Sequence, residues 1–514
     1  MELFGLEFSV TWLLVIGVIV AFFWYDWWCH QYFKRRGIPS ADYVPIFGNI
    51  LQWRHGIHYT LTEYVKKHGS VVGMYDFRRP VLIINDPDIL KNILVKNFSS
   101  FYNRRKFPLS QKPLDRGLTQ LEDEEWKDVR NVITPSFSAA KMRLMAAMIN
   151  DCCDMMVSNI KKAQEGSKAI DCRQLFGAYT MDAIAKCGFG LDVDSQQNKD
   201  DPFVRNAKKA FDFSLFNPAF MLVSIFPFMG PVLQYLGFDV FDPKVTSFFM
   251  NVVEAACNLR KEEGESASKK IDMLQLMLNA HNEVEETEDT ASGETNGVTG
   301  KSHHYQLEAK DIMAQAVLFF LAGYETTNTL LSFTAYLLAT NPEVQEKLQE
   351  EIDRLAAGRD SVGYDTVAKM EYLEMVVCES LRMYPPAVIF DRMCNETVTY
   401  EGLTIEKGLN VFVSLWSLHY NEDHWSNPTK FDPERFSPEN KSSIKPCTWL
   451  PFGFGPRNCI GMRFALLEAK MALVRLLQEY RLDTCPETQI PPKLASGPFA
   501  ATAEGIQLRP IPRK

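Results

Sequence analysis

The chain has 514 residues, and 46% of them are hydrophobic, so length and composition predict a sizeable folded core. The formal net charge is -9 at pH 7, and the isoelectric point is about 5.6. A net negative charge without a sustained basic stripe argues against nucleic-acid binding. The eleven cysteines are scattered, without the paired spacings of zinc or redox motifs, which predicts a reducing compartment.

An uncharged apolar segment lies near the N-terminus, at residues 8–25. Its length just spans a bilayer. Aromatic residues typical of a membrane interface follow at once: Trp24, Tyr25, Trp27 and Trp28. We therefore predict one transmembrane helix. A cleaved signal peptide and a buried helix are the alternatives, but no small-residue cleavage site follows the segment.

The charges that flank this segment predict its orientation. They are basic after it and acidic before it: Lys34, Arg35 and Arg36, against Glu2 and Glu7. The positive-inside rule then keeps the C-terminal bulk in the cytosol. We predict a membrane anchor over residues 1–30 and one catalytic domain over residues 31–514.

The body of the chain has mainly helical patterns. A few short segments instead show alternating apolar and polar residues or runs of β-branched residues. These predicted strands lie near residues 70–74, 81–84 and 398–405. The fold class is thus mainly α with small β-sheets (α+β). Residues 282–304 are polar, acidic and rich in Gly, Ser and Thr, which predicts a surface loop. His303 and His304 lie in it and are interpreted as solvated rather than metal-binding.

A glycine-rich turn around Cys459 is the most informative segment. Gly453 and Gly455 precede the sulfur and allow the backbone to approach a flat cofactor closely, while Pro456 stiffens the turn. Apolar residues then recur at helical spacing: Phe464, Leu467, Met471, Val474 and Leu477. Cys459 is therefore predicted at a helix N-terminus, where the dipole favours a thiolate. A buried cysteine beside a turn is the alternative interpretation.

A second informative segment lies in a long helical pattern over residues 308–340. Glu325 is the one charge near its centre, and a carboxylate in mid-bilayer would cost about 2.5–3.5 kcal/mol, so a buried helix is favoured over a membrane span. The Thr326 hydroxyl can bond back to the Ala322 carbonyl, with Gly323 nearby, and open the helix locally into a polar groove. Taken alone, a Thr-Thr pair on a helix is usually packing.

Two further pairs have helical spacing. Glu379 and Arg382 are three residues apart, which by itself usually means a surface ion pair. Trp126 and Arg130 are four apart and share a helix face.

These segments together resemble the cytochrome P450 family over nearly the whole chain after the anchor. The pattern of its cysteine loop is matched by Phe452, Gly455, Arg457, Cys459 and Gly461. The resemblance implies the P450 fold and haem b (iron protoporphyrin IX) with Cys459 as its axial thiolate and Phe452 beside it. It also implies dioxygen as co-substrate, because a proximal thiolate favours O–O cleavage.

The resemblance further implies roles for residues outside the loop. Thr326 and Glu325 would be catalytic and deliver protons. Glu379 and Arg382, with Arg435, would hold the scaffold. Residues implied to bind the haem propionates are Trp126, Arg130, Arg392 and Arg457. Arg104 is a weaker candidate, since Arg105 makes its alignment uncertain.

The amino-acid sequences of these motifs are most similar to those of the microsomal clan of drug- and steroid-oxidising members, which also contains thromboxane synthase. Implied contacts to an apolar substrate are Leu321, Ala322, Thr326, Ala387, Val388, Ile389 and Phe499. A phenylalanine-rich region follows Lys209; its members are Phe211, Phe213, Phe216, Phe220, Phe226 and Phe228. We interpret it as part of the hydrophobic core in preference to a surface above the active site that enters the lipid.

The chain has no convincing flavin or nicotinamide motif, so its electrons must come from a partner. The resemblance implies a membrane-bound flavoprotein reductase, with cytochrome b5 as a second candidate, at the endoplasmic reticulum membrane. The expected function is insertion of one atom of dioxygen into an apolar xenobiotic, steroid or lipid. The alternatives are a thromboxane-synthase-like peroxide isomerase and a non-catalytic haem carrier or sensor.

Overall fold

The computed structural model describes residues 2–3, 6–7, 10–106, 109, 113–164, 169–198, 200–211, 217–239, 242–264, 272–279, 307–358, 362–494 and 504–513. Several predictions lie outside these residues. They are the loop at residues 282–304 with His303 and His304, two members of the phenylalanine-rich region, Phe213 and Phe216, and the substrate contact Phe499.

Helices dominate the described part of the chain, which confirms the predicted fold class. They are α1 Val10–Cys29, α2 Ile57–His68, α3 Pro87–Lys91, α4 Asp123–Ile133, α5 Ala139–Gln164, α6 Cys172–Phe189, α7 Pro202–Phe211, α8 Pro218–Ile225, α9 Gly230–Tyr235, α10 Pro243–Glu263, α11 Ala309–Thr340, α12 Pro342–Ala356, α13 Tyr364–Val367, α14 Glu371–Met383, α15 Leu415–His419, α16 Pro438–Lys441 and α17 Met462–Glu479.

The strands form small sheets. They are β1 Glu2–Leu3, β2 Leu6–Glu7, β3 Val71–Asp76, β4 Arg79–Ile84, β5 Ile170–Asp171, β6 Ile389–Met393, β7 Val398–Tyr400, β8 Leu403–Ile405, β9 Asn410–Ser414, β10 Tyr480–Thr484 and β11 Gln507–Pro512. The largest sheet has the order β3-β4-β9-β6, with β4 and β9 parallel. The three predicted strand regions are present, the last one as the β7–β8 hairpin.

Helix α11 crosses the core and lies within one residue of its predicted start. The Glu308 and Asp311 side chains form a capping box at that end, and Pro342 follows the last turn. Its side chains are buried along most of its length, and it packs on α6, where the rings of Phe189 and Phe320 stack at 3.9 Å. The alternative of a second membrane span is therefore wrong for this helix.

Helix α1 is exposed, unlike α11. Its most apolar 18-residue window has a mean hydropathy of 1.8 with 6% buried, and it is the one helix of the described chain with the length and composition to cross a membrane. The buried-helix alternative is thus wrong. The end of α1 is docked on the body, because Asp26 Oδ2 accepts from the Ile46 N–H at 3.0 Å and His30 Nε2 lies 3.0 Å from the Phe77 carbonyl oxygen.

Candidate active site

A cavity of about 330 Å³ lies between α11 and the loop that precedes α17. On one side it is lined by Leu318, Phe319, Ala322 and Thr326, and on the other by the cysteine loop. This volume falls in the roughly 300–1,000 Å³ range of small-molecule sites. The cavity is the place where the motifs at Thr326 and Cys459 meet, although they are more than a hundred residues apart in sequence.

The cysteine loop is a tight turn held by its own backbone. The Cys459 N–H donates to the Phe452 carbonyl at 2.8 Å, and Gly453 and Gly455 have φ of 70° and 75°. A Cβ on Gly455 would collide with the Leu94 carbonyl oxygen. This glycine is therefore required by packing against the protein itself, rather than by the approach of a cofactor, as the sequence had suggested.

Cys459 lines the cavity and is exposed there, while protein atoms surround its sulfur on the other sides. Burial raises the pKa of its thiol, while the backbone N–H of Gly461 and the charge of Arg130 act in the opposite direction. The backbone N–H groups at the helix N-terminus lower the pKa of the thiol, as predicted, but burial raises it by more. A metal cation would reverse this balance, because a coordinating thiol loses its proton outright.

Four arginines gather beside this cavity without enough anions to balance them. Burial, followed by repulsion from Arg104, lowers the pKa of Arg457 to about 9 and holds that of Arg392 well below its usual value. Burial likewise lowers the pKa of Arg130. Arg104 Nε and Arg392 Nε are buried and have no hydrogen-bond partner among the described residues. Such a cluster fits a ligand with carboxylates, as the haem propionates are.

The neighbours of Arg104 and Arg105 show which of the two faces the cavity. Arg105 pairs with the Asp76 carboxylate, and its backbone N–H donates to Asp391 Oδ2 at 2.8 Å. Arg104 instead lines the cavity. The weaker sequence candidate is thus the one placed to meet a bound carboxylate.

Each predicted propionate partner has a defined position. Trp126, Arg130 and Arg457 line the cavity, and the Arg457 guanidinium lies 4.5 Å from the Trp126 ring centroid. Arg130 also donates to the Asn458 carbonyl at 2.8 Å, which ties α4 to the cysteine loop. Arg392 is 1% exposed and lies behind the lining rather than in it.

The groove on α11 has the predicted hydrogen bond but not the predicted break. Thr326 Oγ1 donates to the Ala322 carbonyl at 2.7 Å, yet the helix is continuous from Ala309 to Thr340. The Glu325 side chain does not line the cavity. It accepts from Arg173 Nη2 of α6 at 2.5 Å, so the carboxylate is directed away from Thr326 and held there by an ion pair.

The predicted substrate contacts divide into two groups. Ala322, Ala387 and Ile389 line the cavity, as does Thr326. Leu321 and Val388 do not line it; both are buried in apolar clusters beside it, and their role as contacts stays a prediction. Neighbouring residues of a helix or strand point to different faces. A sequence motif can therefore place a residue near the cavity without deciding whether its side chain faces it.

The Glu379–Arg382 pair is fully buried, so the surface-pair interpretation is wrong. Arg382 Nε and Nη2 donate to the two Glu379 oxygens at 2.7 and 2.8 Å, and Arg435 Nε donates to Glu379 at 3.2 Å. Arg382 also donates to the His419 carbonyl at 2.8 Å. The network joins α14, α15 and the turn Pro433–Phe436, behind the cysteine loop.

His419 extends this network to the loop itself. Its Nδ1 lies 3.0 Å from the Arg382 carbonyl oxygen, and its Nε2 accepts from the Leu450 N–H at 3.0 Å, so the ring is neutral with the proton on Nδ1. Burial, aided by the charge of Arg382, lowers its pKa to about 3. Burial also lowers the pKa of His58 to about 4.

Stability is therefore expected to fall below pH 6.5. The unfolded chain takes up protons near pH 6.5, but these folded histidines resist them until pH 3–4, so their contribution is complete above 6.5 and is lost as the pH drops. Each histidine adds a slope of at most about 1.4 kcal/mol per pH unit. Urea unfolding of His419→Gln and wild type should give free energies that converge from pH 7.5 to 5; a constant difference would contradict the assignment.

The fold and the cavity define a helical protein with a cysteine-based haem pocket. The family model for cytochrome P450 matches residues 38–510. The chain is 40% identical over 505 residues to cytochrome P450 3A29 of Sus scrofa, covering 98% of this chain and 97% of that protein. It is 41% identical over 506 residues to cytochrome P450 3A9 of Rattus norvegicus, with 98% and 97% covered.

The chain therefore belongs to the cytochrome P450 family, which confirms the predicted resemblance. It is a monooxygenase, with a haem bound through a cysteine thiolate as cofactor and dioxygen as co-substrate.

Proposed function

We propose that Cys459 is the axial ligand of haem b in a membrane-anchored monooxygenase that oxidises apolar organic molecules. The observation that carries this proposal is the convergence of one cavity-facing sulfur, a set of undercompensated arginines and a threonine-bearing helix on a single cavity. Haem supplies the iron that activates dioxygen, with the thiolate donating electron density to it. The protein's own residues seat the cofactor, position the substrate and move protons.

The cofactor is seated by charge and by shape. Arg104, Arg130, Arg392 and Arg457 would hold the two propionates, since planar guanidinium groups bind carboxylates in a bidentate manner. Trp126 and Phe452 lie in the same cavity lining and would pack against the macrocycle. Carboxylates in this position would also relieve the mutual repulsion of the arginines.

Protons would reach the oxygen side through α11. The Thr326 hydroxyl lines the cavity, and its bond to the Ala322 carbonyl leaves its lone pairs free to accept from a ligand or water. Glu325 would serve as the next acid, reached when its ion pair with Arg173 opens. Because Glu325 does not line the cavity, it would relay protons to Thr326 without touching substrate.

The substrate side of the cavity is apolar. Leu318, Phe319, Ala322, Ala387 and Ile389 line the cavity, and burial of apolar area there would favour a xenobiotic, steroid or lipid. The relatives' names do not specify a substrate, so the choice within this class rests on the cavity alone.

The membrane part of the proposal rests on exposure. Residues 1–30 would be the anchor and residues 31–514 the cytosolic catalytic domain at the endoplasmic reticulum, because the exposed apolar helix α1 is followed by basic residues. The phenylalanine-rich region divides: Phe220 is buried, whereas Phe228 is 74% exposed and lies near α1, since Phe226 contacts both Phe228 and Phe22. This end of the region would enter the lipid.

Electrons would come from a membrane-bound flavoprotein reductase, with cytochrome b5 as a second donor. The alternatives of a peroxide isomerase and a haem carrier are not favoured by any residue of the site, and the cavity-facing Thr326 hydroxyl is the group that oxygen activation would use. Turnover with dioxygen and reductase, against turnover with an organic peroxide alone, separates the monooxygenase from the isomerase.

The proposal is tested by the optical spectrum of the reduced, carbon monoxide-treated protein. Wild type should give the shifted Soret band of a thiolate ligand, and Cys459→Ser should lose that band together with its activity. Cys447→Ser is the control, since Cys447 is a buried cysteine that does not line the cavity, whereas Cys459 is exposed to it. An unchanged spectrum in Cys459→Ser, or purified wild type without iron porphyrin, would overturn the assignment.

A further inference from the structure

Residues 114–121, which we call the wall segment, form part of one side of the cavity. Leu118 and Thr119 line it together with Leu318 of α11. A Cβ on Gly117 would lie 3.5 Å from Leu318 Cδ2, so the segment runs close against the helix. Beyond the single turn Leu114–Arg116 it contains no regular helix or strand, and its position must be fixed by contacts with other elements.

The first such contact is made by the side chain of Gln315, on α11. Its Oε1 accepts from the Leu118 N–H at 2.7 Å, and its Nε2 donates to the Arg116 carbonyl at 2.8 Å. Gln315 is fully buried. One side-chain amide thus satisfies a backbone donor and a backbone acceptor of the wall segment, in the way that a neighbouring strand would.

An ion pair one helical turn away reinforces this contact. Arg116 Nε lies 2.5 Å from Asp311 Oδ1, and Arg116 Nη2 lies 2.9 Å from Glu125 Oε1. Asp311 is fully buried and its second oxygen caps the helix at the Glu308 N–H, so its carboxylate cannot turn away. Because Asp311 and Gln315 are four residues apart, both contacts come from one face of α11.

The other end of the wall segment is attached to the cofactor side. Arg457 Nη2 donates to the Leu121 carbonyl at 2.7 Å. The segment is therefore held between α11, which lines the substrate side, and an arginine of the cysteine loop.

We propose that Gln315 is a positioning residue which, together with the Arg116–Asp311 ion pair, latches the wall segment against α11 and thereby limits the size of molecule that can enter the cavity. The inference rests on the proposed function, since it takes the cavity to hold haem and substrate. Its physical basis is that an irregular segment opens by local fluctuation unless buried partners hold its backbone groups. Releasing the latch lets Leu118 and Thr119 move away from the cavity.

The test compares ligands of two sizes on the full-length ferric haem protein. Association of imidazole and of 1-benzylimidazole with the iron is followed by stopped-flow absorbance in wild type and Gln315→Leu. The variant should bind 1-benzylimidazole about fivefold faster or more, the factor by which losing one hydrogen bond would favour an opened wall segment, with the imidazole rate unchanged. Amide hydrogen exchange over residues 114–121 should also accelerate.

Gln345→Leu is the matched control. Gln345 is buried and makes the same pair of backbone bonds, accepting from the Leu482 N–H at 2.7 Å and donating to the Leu482 carbonyl at 2.9 Å, but it does not line the cavity. Its replacement carries a comparable stability loss and should leave both association rates unchanged. If Gln315→Leu does not fold, Arg116→Gln tests the latch from the half-buried side and should act in the same direction.

The latch would be overturned if the association rates of the two ligands changed by the same factor. It would also be overturned if neither Gln315→Leu nor Arg116→Gln changed the rate for 1-benzylimidazole. That outcome is distinct from failure of the proposed function, in which wild type itself would lack the thiolate spectrum.

Discussion

Replacing Arg382 with leucine is expected to destabilise the protein by about 3–5 kcal/mol, because it leaves the buried Glu379 carboxylate without its main partner. Both side chains are fully buried, and the remaining contacts of Glu379, from Arg435 Nε at 3.2 Å and the Asp432 N–H at 3.1 Å, do not replace a bidentate guanidinium. Because the network also positions His419 and hence Leu450, haem content should fall with stability. Urea unfolding and the haem-to-protein ratio measure both effects.

The control is an ion pair with the same chemistry at the surface. Arg143 pairs with Asp365 at 3.0 Å, and the two side chains are 52% and 67% exposed. Arg143→Leu should cost less than about 1 kcal/mol, the usual range for exposed pairs. Arg435→Leu should give an intermediate loss. A loss for Arg382→Leu no larger than that for Arg143→Leu would contradict a structural role for the buried pair.

Replacing Thr326 with valine is expected to reduce product formation about 100-fold, the scale of a lost proton-transfer group, while the thiolate spectrum is retained. The side chains have nearly the same shape, so the change removes only the hydroxyl that lines the cavity and donates to Ala322. Steady-state product formation with reductase, together with the carbon monoxide spectrum, gives the two readouts. Thr326→Ser should restore most of the activity.

Thr334 of the same helix provides the control. Its hydroxyl donates to the Leu330 carbonyl at 2.8 Å in the same manner, but the residue is buried and does not line the cavity. Thr334→Val should therefore leave turnover within about twofold of wild type, since a hydroxyl that does not line the cavity cannot move protons there. Equal losses in Thr326→Val and Thr334→Val would mean that the hydroxyl acts through helix packing alone.

Local sequence patterns predicted the helices and turns that carry the site. The apolar run of α11 and the proline after it placed that helix within a residue, and the glycines before Cys459 predicted the tight turn. Strands β6 and β9 were not predicted. β9 is buried at every position, so it lacks the alternation by which a half-exposed strand is recognised.

Long-range contacts decided the roles of individual side chains. Glu325 has the expected sequence position, but Arg173, 152 residues earlier, holds its carboxylate away from the cavity. Arg104 and Arg105 are indistinguishable by spacing, and only the carboxylates of Asp76 and Asp391 select Arg105 for the scaffold. No pattern near Gln315 signals its bonds to the wall segment, since a glutamine on an apolar helix has no characteristic spacing.

The sequence by itself determined the apolar N-terminal helix, the cysteine turn, the central helix and the family to which they point, because each of these depends on residues within one turn or one periodic pattern. Only the tertiary structure decided which arginines face the cavity, that the Glu379–Arg382 pair is buried, and where the Glu325 carboxylate points. The physical reason is that burial and charge pairing depend on residues brought together by the fold, and a sequence gives the chemical groups but not their neighbours.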